Sequence, residues 1–361
     1  MNRSLVNSAR RDILDLCGAA RHPQDFIHEA GRLLSRAVSC DGWIMHAVDP
    51  LTLLPSYGVS KYSRFPEIDC WQLARREYLN HDINDFSELA HSADHVAALG
   101  LTTGGVPDAS VRFHEILRPF GLKDELRATF VADSACWGAA TLVRSGHLPF
   151  SAHEVRFVAD LSPHIGRALR ELAWLGNLPK VPRFSPCVLI LDDRDRVDEA
   201  TTDAMAWLQQ LKIVGEESER PVPLVVQIVA HYARASGPND HVAGGFPRMR
   251  TSSGSWVSLR GARLLGKPRR NSFVAVIIEP ASADAVAEFL LTSYRLSARE
   301  RQIARLLALG RSSKEIAHTL EMSTHTVRDH VKKVLEKVAV HTRAELIAKL
   351  FVDPNPLDEQ G

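Results

Sequence analysis

The 361-residue chain contains no run of about 18 apolar residues, which excludes an apolar membrane-spanning helix. Its first residues, MNRSLVNSARRDILDL, turn amphipathic at once and carry no export-signal core, so a cytoplasmic protein without a membrane partner is expected. Cysteine is scarce. Cys17, Cys40, Cys70, Cys136 and Cys187 are odd in number and form no CxxC, the usage of buried thiols in a reducing compartment rather than of a disulfide framework. Charge of either sign is not in excess: 44 Lys and Arg against 43 Asp and Glu give +1. The whole chain therefore carries no polyanion signature, and only an uneven spread of charge would reveal one. No internal repeat or low-complexity tract is present.

What is present is ordinary globular composition, with 45% apolar and 24% charged residues, enough for two or three domains. Residues 8–38 have helical periodicity broken by His22-Pro23. CDGWIMHAVDPLTLLPSYGV predicts strand, Asp-Pro turn, strand, and LRATFVAD with CWGAATLVRSG predicts a second strand pair split near Ser134. SAHEVRFVADLSPHIGRALRELAWL returns to helix behind a Ser151/Glu154 capping box. The linker GNLPKVPRFSP, with Pro179, Pro182 and Pro186, follows. CVLILDDRDRVDEATTDAMAWLQQL then predicts strand, acidic turn, a short strand or turn, and helix, and GSWVSLRGARLLG with SFVAVIIEPA predicts two strands joined by the basic turn KPRRN. SGPNDHVAGGFPRMR is Gly/Pro-rich and predicts loop.

Several motifs invite chemistry and do not carry it. GARLLGKP spells GxxxxGK, but Pro268 follows Lys267 and offers neither the hydroxyl nor the N–H that a phosphate loop requires. VLILDDRD resembles the acidic strand end of a phosphorylated receiver, but the later Asp, Thr/Ser and Lys are missing, so Asp192, Asp193 and Asp195 are expected to build a turn. His91 and His95 sit at i, i+4 around Asp94 without an obvious third metal ligand. Asp124 and Glu125 lack an acid–base partner, and GxSxG occurs nowhere useful. No catalytic set emerges, and no cofactor, metal or enzymatic activity is expected.

The C-terminal segment is different. Four helices fit residues 296–351, headed by Ser297 with Glu300, Ser312 with Glu315, Ser323, and Thr342 with Glu345. Only Glu321, Met322 and Ser323 separate the second and third helices, so the two must cross steeply. Ile303, Leu306, Leu307, Ile316, Ala317, Leu320, Val327, Val331, Val334, Leu335, Leu346 and Ile347 mark the expected buried side. Leu296 to Phe351 holds eleven Lys or Arg and six Asp or Glu, net +5, which leaves −4 for the rest. That asymmetry is the footprint of a polyanion partner. On the third helix Thr324, His325, Arg328, Asp329, Lys332 and Lys333 lie off the apolar stripe. Arg328 and Lys332, one turn apart, suit guanine edges; Asp329 suits a cytosine amine; Lys314 and the helix starts suit phosphates.

The segment LSARERQIARLLALGRSSKEIAHTLEMSTHTVRDHVKKVLEKVAVHTRAEL closely resembles the LuxR/NarL-type helix-turn-helix family. Leu296, Ser297, Arg299 and Glu300 match its opening; Gly310, Ser312, Ser313, Lys314, Glu315, Ile316 and Ala317 its centre. Ser323, Thr326, Val327, Arg328 and His330 match the third helix, and Lys337, Val338, Val340 and Arg343 the close. Ser313 stands where Asn is common and Val338 where Leu is common. The resemblance implies base-facing Arg328, Asp329 and Lys332, with Lys314 and Thr326 near phosphates and Ser323 at the helix start. It also implies double-stranded DNA as partner and binding as a homodimer, with RNA polymerase a candidate partner.

Upstream, residues 9–175 resemble a GAF-like sensor domain and 187–281 a shorter, divergent PAS-like α+β domain, so an unidentified small-molecule ligand is a candidate partner. Trp43, Trp71 and Trp137 are candidate pocket residues, although buried aromatics are more often core. The expected fold class is multidomain α+β ending in a four-helix LuxR-type helix-turn-helix at 296–352. A linker at 176–186, a connecting helix at 282–295 and a disordered tail at 353–361 complete the expected organisation. A DNA-binding transcription regulator is the expected function; the alternatives are a small-molecule-binding signalling protein and a constitutive DNA binder whose upstream domains only dimerise.

Overall fold

The computed structural model describes residues 3–19, 22–61, 76–77, 81–146, 148–174, 185–211, 222–235, 248–251, 255–264 and 273–351. Cys70, Trp71, Pro179, Pro182, the Lys267–Pro268 pair, the basic turn and the tail from 353 onward lie outside them. The fold class is the expected one: α+β upstream and all-helical at the C-terminus.

The first module begins with helices α1 (Arg3–Ala19) and α2 (Pro23–Ala37), broken at the expected His-Pro. Strands β1 (Gly42–Val48), β2 (Pro55–Lys61), β3 (Val96–Ala98), β4 (Asp124–Ala132) and β5 (Ala135–Arg144) form one antiparallel sheet, in order β2-β1-β5-β4-β3. A short helix α3 (Phe86–His91) precedes β3. Period-2 alternation sends Leu126, Ala128 and Phe130 of β4 into the main core. Helix α4 (Ala152–Trp174) closes that face, its first turn held by Ser151 N–H donating to Glu154 Oε2 at 2.8 Å. Trp43 and Trp137 both belong to this core; Trp43 lies against Gly31 of α2, where a Cβ would come within 2.1 Å of the indole.

The opposite face of β4 carries Glu125, Arg127 and Thr129, all buried. Glu125 does have a partner, though not a catalytic one: Arg112 donates to it at 2.8 Å. Arg127 pairs with Glu77, donates to Asn84 O at 2.9 Å and stacks 3.7 Å over Phe86. Asp124 accepts from the backbone N–H groups of Gly100, Phe150 and Glu125, each at 2.8 Å, which ties three chain segments to one carboxylate. The carboxylates of Asp124 and Glu125 are satisfied structurally, whereas Arg127 Nε is buried without a hydrogen bond among the described residues. His46 shares the neighbourhood; burial, with Arg127 nearby, lowers its pKa to about 4 and keeps it neutral.

The second module repeats the sheet order. Strands β6 (Cys187–Leu191), β7 (Val197–Ala200), β8 (Arg248–Arg250), β9 (Trp256–Arg263) and β10 (Val274–Pro280) run β7-β6-β10-β9-β8. Helices α5 (Ala204–Leu211) and α6 (Leu224–Ala235) bury Trp207, Leu208, Val225, Val226 and Val229 against it. As expected, Asp192 builds a turn: its Oδ1 accepts from Arg194 N and Arg196 N, both at 2.9 Å. One feature departs from the sequence expectation: the last residues of the Gly/Pro-rich segment form β8 rather than loop, held by pairing with β9. LVVQIVAHYARA, for which the sequence offered no expectation, is helix α6 and is buried in the second module's core.

Helix α7 (Ala283–Ser293) then leads into the C-terminal bundle: α8 (Ala298–Ala308), α9 (Ser313–Thr319), α10 (Thr324–Val338) and α11 (Arg343–Phe351). Its core holds Ile303, Leu307, Ile316, Ala317, Val327, Val334 and Leu346, with Leu306, Leu320, Val331 and Leu335 partly buried at its margin.

Gly166 tests how tightly α4 sits on the sheet. A Cβ there would lie 2.9 Å from backbone atoms of Phe130 and Val131, which cannot swing aside. Helix propensity would favour Ala by about 1 kcal/mol, whereas overpacking costs about 1–3 kcal/mol. Gly166→Ala is therefore expected to lower the midpoint of thermal unfolding; a raised midpoint would contradict this packing.

Candidate nucleic-acid interface

Each helix of the bundle is started by a side chain. Ser297 Oγ accepts from Glu300 N at 3.2 Å, while Ser297 N donates to Glu300 Oε2 at 2.7 Å. Ser312 and Glu315 repeat the reciprocal pair at 3.3 and 2.7 Å. Ser323 Oγ accepts from Thr326 N at 3.0 Å and meets the Thr326 hydroxyl at 2.8 Å. The fourth start differs from the expected box. Thr342 Oγ1 accepts from Glu345 N at 3.1 Å, but the Glu345 carboxylate takes the N–H of His341, one residue earlier.

The turn between α9 and α10 is tight because Glu321 adopts a left-handed φ of +52° and Met322 N donates back to Ala317 O at 2.9 Å. Arg299 reaches across from α8 to donate to Leu320 O at 2.5 Å, so the first helix clamps the turn. Arg343 likewise donates to Arg311 O, tying the start of α11 to the α8–α9 connection.

Within α10 the apolar residues Val327, Val334 and Val338 are buried, which fixes the opposite face outward. His325, Thr326, Arg328, Asp329, Lys332 and Lys333 are exposed, and Thr324 is half-buried. Ser323 and Lys314 are exposed at and beside the helix starts. The sequence-predicted residues thus share one surface: the outward face of α10 with the beginning of α9. Their present partners are weak. Lys332 lies 4.0 Å from Glu336, a solvent-facing i, i+4 pair worth about 0.3–0.5 kcal/mol, and His325 Nδ1 lies 3.2 Å from Asp329, also facing solvent. Such side chains are readily surrendered to a stronger anionic partner.

One residue with two jobs was only half visible in the sequence. Glu300, besides capping α8, accepts from Lys337 Nζ at 2.7 Å, and its side chain is 5% exposed. Burial alone would push its carboxyl up. The Lys337 ammonium and the Ser297 donors outweigh that and hold it below its ordinary value. The capping signature revealed the first job; the second needed the fold to bring the end of α10 back over α8.

Two helices joined by the four residues Leu320 to Ser323, with a third clamping the turn through Arg299, define a helix-turn-helix. Residues 294–350 match the family described as bacterial regulatory proteins, luxR family. The spore germination protein GerE of Bacillus subtilis is 36% identical over 56 residues, which is 16% of this chain and 76% of that protein. The chain belongs to the luxR family of bacterial regulatory proteins. Other curated relatives match over less of their length. The tetrathionate response regulatory protein TtrR of Salmonella typhimurium is 31% identical over 23% of this chain and 40% of its own, and UhpA of the same organism is 45% identical over 16% and 29%. Among solved structures, Escherichia coli SdiA aligns over 96% of this chain and 97% of its own at 13% identity and TM-score 0.34. The phycoerythrobilin-bound GAF domain of a cyanobacterial phytochrome covers 47% of this chain and 94% of its own, at 13% identity and TM-score 0.26. No helix of the described residues is long and apolar enough to cross a membrane, and no group of three metal-ligating side chains occurs among them.

Removing the Lys337 ammonium strands a nearly buried carboxylate. Lys337→Met is expected to destabilise the protein at neutral pH by about 1–2 kcal/mol, after discounting for partial exposure of the lysine. Because the Glu300 pKa is depressed in the folded state, its contribution is present above the ordinary carboxylate range and fades as pH falls through the lowered value. The deficit of Glu300→Gln in denaturant unfolding should accordingly shrink on acidification; a pH-independent deficit would refute the ion pair.

Proposed function

We propose that this chain is a sequence-specific DNA-binding transcription regulator that acts as a dimer in the cytoplasm. The GAF-like module at 9–175 and the PAS-like module at 187–281 are read as sensors, joined by 176–186 and by the helix within 282–295 to the DNA-binding module at 296–352. The observation that carries the reading is the outward face of α10, where Arg328, Asp329, Lys332 and Lys333 stand exposed on a helix whose other side is locked into a core. A helix held in this way presents its N-terminal half to the major groove. Arg328, Asp329 and Lys332 take the base edges. Lys314 and Thr326 take phosphates, and Ser323, Thr324, His325 and Lys333 flank them. Segment charge of +5 against −4 elsewhere concentrates attraction for DNA on this end of the chain. A small molecule is the class of signal the upstream modules would receive, and RNA polymerase is the machinery such a regulator would address.

The test uses the full chain and a duplex enriched from random sequence. Lys332→Ala should weaken binding by about 1–3 kcal/mol and relax the preference at one position. Lys314→Ala should weaken all duplexes alike and reduce the slope of log affinity against log salt by about 1. A Lys332→Ala protein with unaltered affinity and preference would remove the base-reading assignment.

A further inference from the structure

Helix α7 belongs to two cores. Val286 and Phe289 are part of the first module's core, and Ala287 and Leu291 are part of the C-terminal bundle's core. Leu290 touches both. Phe289 stands between Trp137 of β5, at 5.9 Å between ring centroids, and Trp256 of β9, at 4.5 Å. One ring thus joins the first sheet, the second sheet and the connecting helix.

The neighbouring residue does the same with charge. Glu288 Oε1 lies 2.5 Å from Arg305 of α8, and its Oε2 lies 3.7 Å from Arg248 of β8. Arg248 in turn lies 3.3 Å from Asp49, at the end of β1, and both are buried. The chain Asp49–Arg248–Glu288–Arg305 passes through the first module, the second module, the connecting helix and the bundle. Separating Asp49 from Arg248 would leave a buried charge without that partner, which is costly, so the inner pair moves as a unit. An eleven-residue helix is roughly 16 Å of stiff rod and transmits a shift at one end to the other.

We propose that Glu288 and Phe289 are positioning residues, through which the packing of both upstream modules sets the DNA affinity of the C-terminal module. The affinity part of this rests on the DNA-binding reading above; the mechanical part does not. A shift of either sheet against the other moves Phe289 or Arg248. Either movement displaces α7, and α7 carries α8 and α11, against which α10 is oriented. Effects along packed paths of this kind are about 0.5–2 kcal/mol, which is about 2- to 30-fold in affinity.

The experiment uses the full chain with Glu288→Gln and Arg305→Gln, two solvent-facing changes at side chains 43% and 48% exposed, and the buried change Arg248→Gln. The first readout is the dissociation constant for the enriched duplex at fixed salt. Arg248→Gln should shift it about 2- to 30-fold in the native background and leave it unmoved in the Glu288→Gln background. Additive effects would overturn the proposal. The second readout is amide hydrogen exchange without DNA. Coupling is reciprocal, so Arg305→Gln in the bundle should raise exchange in β8 and at Trp256 to Ser258 of β9. Unchanged exchange there would overturn the proposal. This arm decides by itself if Arg248→Gln does not fold. It also decides if the native chain binds no duplex, an outcome that sinks the DNA reading and leaves the coupling to be judged on exchange alone.

Discussion

An eleven-residue helix has little stability of its own. Helix α7 is stable here because both of its sides are covered, one by the core under the first sheet and the other by the core of the helix-turn-helix. That two-sided burial constrains the rest of the molecule. It places Trp256 of the second module against the core of the first, sets α8 and α11 on a fixed base, and leaves α10 as the helix of the bundle with a long outward face. The organisation is two sheets of the same strand order feeding one short helix, with the candidate binding surface at its far end.

Much of the bundle was legible in the sequence because its determinants are local. Ser297, Ser312 and Ser323 each cap within three residues, and a short turn between periodic segments leaves few geometries. The outward set on α10 followed from the same periodicity, with Val327 and Val334 marking the side that had to be buried. Strand pairs of the first module were legible for a related reason: alternation in LRATFVAD and a turn near Ser134 confine the pairing, which runs from Asp124↔Arg144 to Ala132↔Ala135.

What escaped is non-local. Helix α6 has β-branched residues and an apolar character that fit a buried strand as well as a buried helix; only packing on β9 and β10 decides it. Asp124 and Glu125 stood out as carboxylates without partners because Gly100, Phe150 and Arg112 reach them from other segments. Lys337 and Glu300 are 37 residues apart, and Asp49 and Arg248 are 199 apart. No periodicity connects such residues. Trp43 and Trp137 are in the core, the more common place for buried aromatics, but the position of Trp137 at the junction with α7 could not be read from the sequence.

The central claim is that α10 reads DNA. Selection from a random-sequence duplex pool by the full chain, at fixed low salt, tests it most directly. The account predicts enrichment of a two-fold symmetric site, because paired recognition helices meet paired half-sites, with the preference relaxed at one position of each half-site in Lys332→Ala. A pool that emerges unenriched from the native protein would contradict it.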